Sequence, residues 1–134
     1  MRKLAIAIDG PAGAGKSSVA KILAANMGYA YLDTGAMYRA VTYEVLRQEL
    51  TEEKDIVALA AGMDMTVKPE TDAMHVIVNG HDVTDHIRTP EVSARVSAVS
   101  ALAGVRAAMV EIQRRQAAKG GIVLDGRDIG TTVL

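Results

Sequence analysis

The 134-residue chain has no cysteine, no tryptophan and no phenylalanine, and only four tyrosines. Without cysteine it can build neither a disulfide framework nor a thiolate metal site. Without Trp and Phe its core has to be aliphatic, made of Val, Ile, Leu, Ala and seven Met, and methionine fills irregular gaps without specifying them sharply. Tyr29, Tyr31, Tyr38 and Tyr43 are too few and too scattered for a surface on which bases stack. Charge of one sign is also lacking, the formal net charge being −1. A general nucleic-acid binder carries a basic excess, so phosphate here must be held by locally placed cations and main-chain N–H groups. The first apolar run, LAIAI, meets Asp9 at once and is too short for a signal peptide or a membrane span. These absences predict a compact, soluble, cytoplasmic protein that binds neither membranes nor nucleic acid.

The pattern that is present reads as α/β. KLAIAID is a continuous apolar run ending in an acid, as in a parallel strand buried on both faces (residues 3–8). The helix behind it has Val19, Ile22, Leu23 and Met27 as its candidate inner face and Gly28 as its stop. A short strand at 29–32 precedes a helix from Thr34, a candidate N-cap, to about residue 50, and a third helix over 53–61. The alternating, turn-rich stretch that follows contains Asn79-Gly80 between HVIV and HDVT, a two-residue hairpin signal. Thr89 caps a helix with Pro90 at its first position and Val92, Val96 and Val99 on one face. A last helix turns Val105, Met109 and Ile112 inward, with Glu111 and Arg115 spaced to pair outside, and ends at Lys119-Gly120-Gly121. GIVLD is a third buried strand, at 121–125. The expected architecture is a parallel sheet with flanking helices over residues 1–62 and 88–134, interrupted by a small antiparallel insert at 63–87.

Residues 10–17, GPAGAGKS, fit G-x-x-x-x-G-K-[ST] between a strand and a helix. Glycine permits backbone angles closed to other residues and leaves no Cβ in the way. Successive N–H groups therefore converge at the positive end of the helix that starts near Lys16. Gly10, Pro11, Ala12, Gly13, Ala14, Gly15, Lys16, Ser17 and Ser18 form the candidate site for a nucleoside triphosphate, with Lys16 on the outer phosphates and the Ser17 hydroxyl on Mg²⁺.

Two further segments bear on the acceptor. DTGAMYR places Asp33 and Arg39 after the second strand, and an Arg fork suits a phosphate monoester; a solvated helix residue is the alternative for Arg39. VLDGRDIGT ends an apolar strand with Asp125, Arg127 and Asp128, at the strand end where α/β sites form; a surface Asp-Gly turn is the structural alternative. His75, His81 and His86, beside Asp72, Asp82 and Asp85, lack both helical pairing and zinc spacing and read as solvated hairpin residues. Met63, Met65 and Met74 read as core.

Taken together, IDGPAGAGKSS, YLDTGAMYRA, NGHDVTDHIRTPEVS and LDGRDIGT resemble the bacterial cytidylate kinases, in order and over the whole chain. The resemblance implies a P-loop nucleoside monophosphate kinase that passes the γ-phosphoryl of ATP to CMP or dCMP, with ATP and Mg²⁺ bound, small-molecule partners only and a monomeric state when complete. It implies Ser97, Arg106 and Asp128 as the cytosine-reading group, Arg39 and Arg127 as clamps on the CMP phosphate, and Asp33 near the reaction centre. Lys16, Asp33, Arg39 and Arg127 are then the catalytic candidates. It also implies a further C-terminal part, with a lid and a ribose-binding acid, that has no counterpart in these 134 residues. Two rival expectations stand beside it: another small-molecule P-loop kinase, and a nucleotide-binding module without turnover. A chain lacking the lid is expected to hold phosphates better than it turns them over. In a coupled assay with ATP and CMP its rate is predicted to fall well below that of a complete kinase; an equal rate would reject the expectation.

Overall fold

The computed structural model describes residues 4–9, 16–69 and 74–126. The elements run β1 (Ala5–Asp9), α1 (Lys16–Met27), β2 (Ala30–Asp33), α2 (Thr34–Arg47), α3 (Glu53–Gly62), β3 (Met65–Pro69), β4 (Met74–Val78), β5 (His81–Asp82), a 3-10 turn at Thr84–His86, α4 (Pro90–Ser100), α5 (Ala103–Ala118) and β6 (Ile122–Gly126). The fold is α/β, a parallel sheet flanked by helices plus a small second sheet containing an antiparallel pair. The chain divides into two compact units, one of Met1–Gly35, Lys68–Met74 and Val110–Leu134, the other of Ala36–Val67 and His75–Met109. No single helix among the described residues is long and apolar enough to cross a membrane.

In the first unit the strand order is β1-β6-β2, all parallel, so the last strand in sequence lies between the first two. Its five residues are all buried, as a central strand of a parallel sheet requires. The three strands occur where the apolar runs predict, one or two residues later. The inner face of α1 does not. Ala20 and Ala24 are the buried residues, packed with Tyr31 and Val123, while Leu23 is partly buried. Val19, Ile22 and Met27 are 56%, 62% and 40% exposed. Apolar spacing alone weights the large side chains, whereas the stripe of two alanines lets the helix backbone come close to the sheet. Gly28, at φ +67°, ends α1 with the Tyr29 N–H on the Ala24 carbonyl and the Gly28 N–H on Ala25, the expected left-handed stop. Gly120, at φ 69°, likewise follows α5.

In the second unit α2 buries Met37, Ala40, Val41 and Val45. It ends at Arg47, three residues before the expected stop, because Glu49 takes up φ 56°. The Leu50 N–H then bonds the Val45 carbonyl and the Glu49 N–H bonds Leu46, the same closing motif as at Gly28 but without glycine. At its other end Thr34 is the first helical residue rather than the cap. Asn79 and Gly80, at φ 49° and 84°, make the tight turn of the β4–β5 hairpin, with Val78 opposite His81. Met74, Val76 and Val78 are buried along β4, in alternation with half-buried His75 and Ile77. Met65 is buried and Met63 is half-buried. The Thr89 hydroxyl accepts from the Val92 N–H at 3.3 Å, with Pro90 at the first helical position. Val92 and Val99 are buried under α4, and Val105 and Met109 under α5; Val96 and Ile112 are only half-buried. Glu111 and Arg115 are exposed and do not pair: neither side chain gains enough in water to hold the geometry. α5 also passes so close to α3 that a Cβ at Gly104 would collide with Val57.

A left-handed conformation costs an L-residue roughly 1–2 kcal/mol that glycine escapes, partly offset by glycine's freedom in the unfolded chain. Glu49→Gly is therefore expected to stabilise the protein by up to about 1 kcal/mol, read as a higher urea midpoint at unchanged slope. A lower midpoint would mean that the Glu49 side chain contributes more than its backbone costs.

Candidate functional site

The carboxyl edge of the parallel sheet carries three acids: Asp9 ends β1, Asp33 ends β2 and Asp125 lies one residue before the end of β6. The register sets Asp33 directly beside Asp125, and Asp9 beside Gly126. Registered neighbours in a parallel sheet project from the same face, and Tyr31 and Val123 place that face under α1. Residues 10–15 connect β1 to α1, and the first four N–H groups of α1 have no partner within the helix itself.

Asp125 is fixed through both its side chain and its main chain. It is 1% exposed, and its Oδ2 accepts the Tyr31 hydroxyl at 2.9 Å. Its main-chain carbonyl accepts the Thr34 hydroxyl, also at 2.9 Å. Thr34 thus ties the start of α2 to the end of β6. Asp33 stands in the position before α2, where a Cβ on Gly35 would come within 3.1 Å of its Oδ1. The glycine of DTG leaves room for that carboxylate at the positive end of the helix. The Asp33 N–H is met by the Met74 sulfur at 3.0 Å, so this methionine is core packing at the edge of the site. Lys21 sits with its ammonium 5.6 Å from the Tyr31 ring centre.

The second unit holds the other candidates. Arg39, half-buried on α2, donates through Nη1 to the Ile87 carbonyl at 3.3 Å and to the Ser93 hydroxyl at 2.9 Å. Ser97 lies in the last turn of α4 and Arg106 in the first turn of α5, both exposed. The two helices meet at 97°, so these two residues flank one corner. Of the histidines, His75 Nδ1 is 3.1 Å from Asp82 Oδ2, and His86 stacks on Tyr43 with ring centres 5.6 Å apart. Hydrogen bonds from the Thr84 hydroxyl and N–H hold the Asp82 carboxyl below its ordinary value. Asp72 lies outside the described residues, and no group of three metal-capable side chains occurs among those described.

Gly10, Pro11, Ala12, Gly13, Ala14 and Gly15, together with Arg127 and Asp128, lie outside the described residues. Lys16 and Ser17 form the first turn of α1, and only their backbone is described; Ser18 is exposed. Sequence reasoning placed Asp125 at a strand end that resembles the metal-facing strand of P-loop proteins, the signal being the acid at the end of a fully apolar strand. Ser93 and the Ile87 carbonyl carried no signal, since their approach to Arg39 spans 54 and 48 residues.

The model of the family described as "Cytidylate kinase" matches residues 6–134. The chain belongs to the cytidylate kinase family. Among similar curated proteins, the cytidylate kinase of Desulfitobacterium hafniense is 51% identical over 99% of this chain and 58% of its own length. That of Bacillus subtilis is 51% identical over 99% of this chain and 60% of its length. That of Lactobacillus gasseri is 53% identical over 96% and 57% respectively. The chain thus spans a little under two thirds of the cytidylate kinases it matches.

The Tyr31–Asp125 bond is buried and made to a carboxyl group, where a lost donor costs about 1–3 kcal/mol. Tyr31→Phe is expected to lower the urea midpoint by that amount. A change under about 0.5 kcal/mol would show that Asp125 does not depend on the hydroxyl.

Proposed function

We propose that the protein transfers the γ-phosphoryl group of ATP to CMP or dCMP, giving ADP and CDP or dCDP. The observation that carries this reading is the junction of β1 and α1, where G-x-x-x-x-G-K-S leads from a parallel strand into a helix starting at Lys16. The motif suits triphosphate binding, and membership of the cytidylate kinase family supports a cytosine nucleotide as acceptor.

Residues 10–18 cradle the ATP phosphates through main-chain N–H groups at the positive end of α1, and the Lys16 ammonium lies along the outer phosphates. The donor set at the sheet edge fits Mg²⁺, a hard cation that takes one or two carboxylates with phosphate oxygens and water. Ser17 in the first turn of α1, with Asp33 and Asp125 side by side in register, are the residues that would hold it. When bound, Mg²⁺ supplies charge neutralisation on the β- and γ-phosphates. Arg39 and Arg127 clamp the CMP phosphate, and their charge offsets that of two phosphates brought together. The attacking oxygen is already anionic at neutral pH, so catalysis rests on alignment and on charge stabilisation rather than on a strong base. Ser97, Arg106 and Asp128 read the base: the guanidinium donates to ring O2 and N3, and the carboxylate accepts from the 4-amino group. Uracil is rejected because its O4 would face an acceptor. The insert at 63–87 closes over the acceptor and excludes water, which would otherwise hydrolyse ATP. The partners are then small nucleotides and the setting cytoplasmic.

The reading is tested by offering CMP, dCMP, UMP and AMP with ATP to the wild type and to Asp128→Asn. The wild type is expected to prefer the cytosine nucleotides, and the substitution to reduce the CMP-over-UMP ratio by at least about tenfold. An unchanged ratio would remove Asp128 from base reading, and equal use of AMP would reject the cytosine assignment.

A further inference from the structure

Arg39 is held by groups of the protein itself, and the manner of its holding assigns a role to Ser93. Both Nη1 contacts are to neutral oxygens, the Ile87 carbonyl at 3.3 Å and the Ser93 hydroxyl at 2.9 Å. Neither neutralises the guanidinium, and Arg39 makes no ion pair among the described residues. A guanidinium has five N–H donors in a fixed fork. Spending the two on Nη1 leaves the Nε–H and the two on Nη2, whose common edge is the geometry that grips two oxygens of one phosphate. The anchor is rigid. Ile87 is 1% exposed, and Ser93 lies in the first turn of α4, whose start is fixed by the Thr89 cap, Pro90 and buried Val92. Ser93 is itself exposed, so its hydroxyl is not needed to fill the core.

We infer that Ser93, with the Ile87 carbonyl, is a positioning residue that presents the Nε–Nη2 edge of Arg39 to the phosphate of the acceptor nucleotide. The inference rests on the reading of Arg39 as a phosphate clamp. Its physical content is preorganisation: a long side chain immobilised in advance loses less rotamer freedom on binding. A carbonyl cannot be deleted by mutation, but the hydroxyl can.

Calorimetric binding of CMP and of cytidine, which lacks the phosphate, separates this role from a structural one. The proteins compared are the full chain, Ser93→Ala, Ser93→Thr, Arg39→Ala and the double variant Arg39→Ala/Ser93→Ala. Ser93→Ala is expected to weaken CMP about three- to tenfold, the effect of one modest hydrogen bond. Cytidine affinity and thermal midpoint should be unchanged, and Ser93→Thr, which keeps the hydroxyl, should restore CMP. Arg39→Ala should weaken CMP more strongly, again without affecting cytidine, and in that background Ser93→Ala should do nothing further. If Arg39→Ala weakens CMP while Ser93→Ala leaves the CMP-to-cytidine ratio untouched, the positioning role is overturned and the clamp stands. If Arg39→Ala leaves the ratio untouched, or the full chain binds no CMP, the clamp reading fails and the inference with it. Equal loss of CMP and cytidine in Ser93→Ala would mark a structural effect and also overturn it.

Discussion

The first unit depends on β6 lying between β1 and β2. Its main chain pairs on both sides, its five residues are buried, and its end carries the carboxylate and the carbonyl to which Tyr31 and Thr34 are tied. The strand is the last described element, yet without it β1 and β2 have no sheet to share. The contact between two segments about 90 residues apart is therefore what brings Asp9 at the end of β1 and Asp33 at the end of β2 to one edge of a shared sheet. Parallel pairing of this kind closes a long loop before it returns any binding energy, so it stands only on a fully apolar strand. Ile122, Val123 and Leu124 supply that.

Polar groups at the edge are placed by economical local devices. Gly35 makes room for the Asp33 carboxylate, Thr34 spends its hydroxyl on β6, and Tyr31 satisfies a buried acid from the same face. In the second unit the Thr89 cap and Pro90 fix the start of α4, and so fix the hydroxyl that meets Arg39. Each fixes a backbone element and places a polar group with the same contact.

Elements with local signals were legible. The Asn79-Gly80 turn, the Thr89-Pro90 start, the Gly28 stop and the strand at Ile122 all depend on residues within a few positions of one another. Three features were not. The exposed Val19 and Ile22 show that a helix's larger apolar residues need not mark its buried stripe when alanines allow closer approach. The early end of α2 follows from Glu49 adopting a conformation that glycine usually takes. Glu111 and Arg115, exposed and not paired with each other, show that correct spacing does not pair two solvated charges.

The amino-acid order by itself determined the side chains available: a G-x-x-x-x-G-K-S motif between strand and helix, arginines, acids at strand ends, and no cysteine, tryptophan or phenylalanine. These follow from residue type and short spacing, which local sterics and hydrogen bonding translate directly into backbone form. Only the tertiary structure decided which of these groups meet. It set Asp33 beside Asp125, buried Asp125 under Tyr31, and leaned Arg39 on Ser93 and Ile87. Those pairings join segments 48 to 94 residues apart, and they arise from strand order and helix packing, which depend on burying the whole core at once rather than on any short stretch of it.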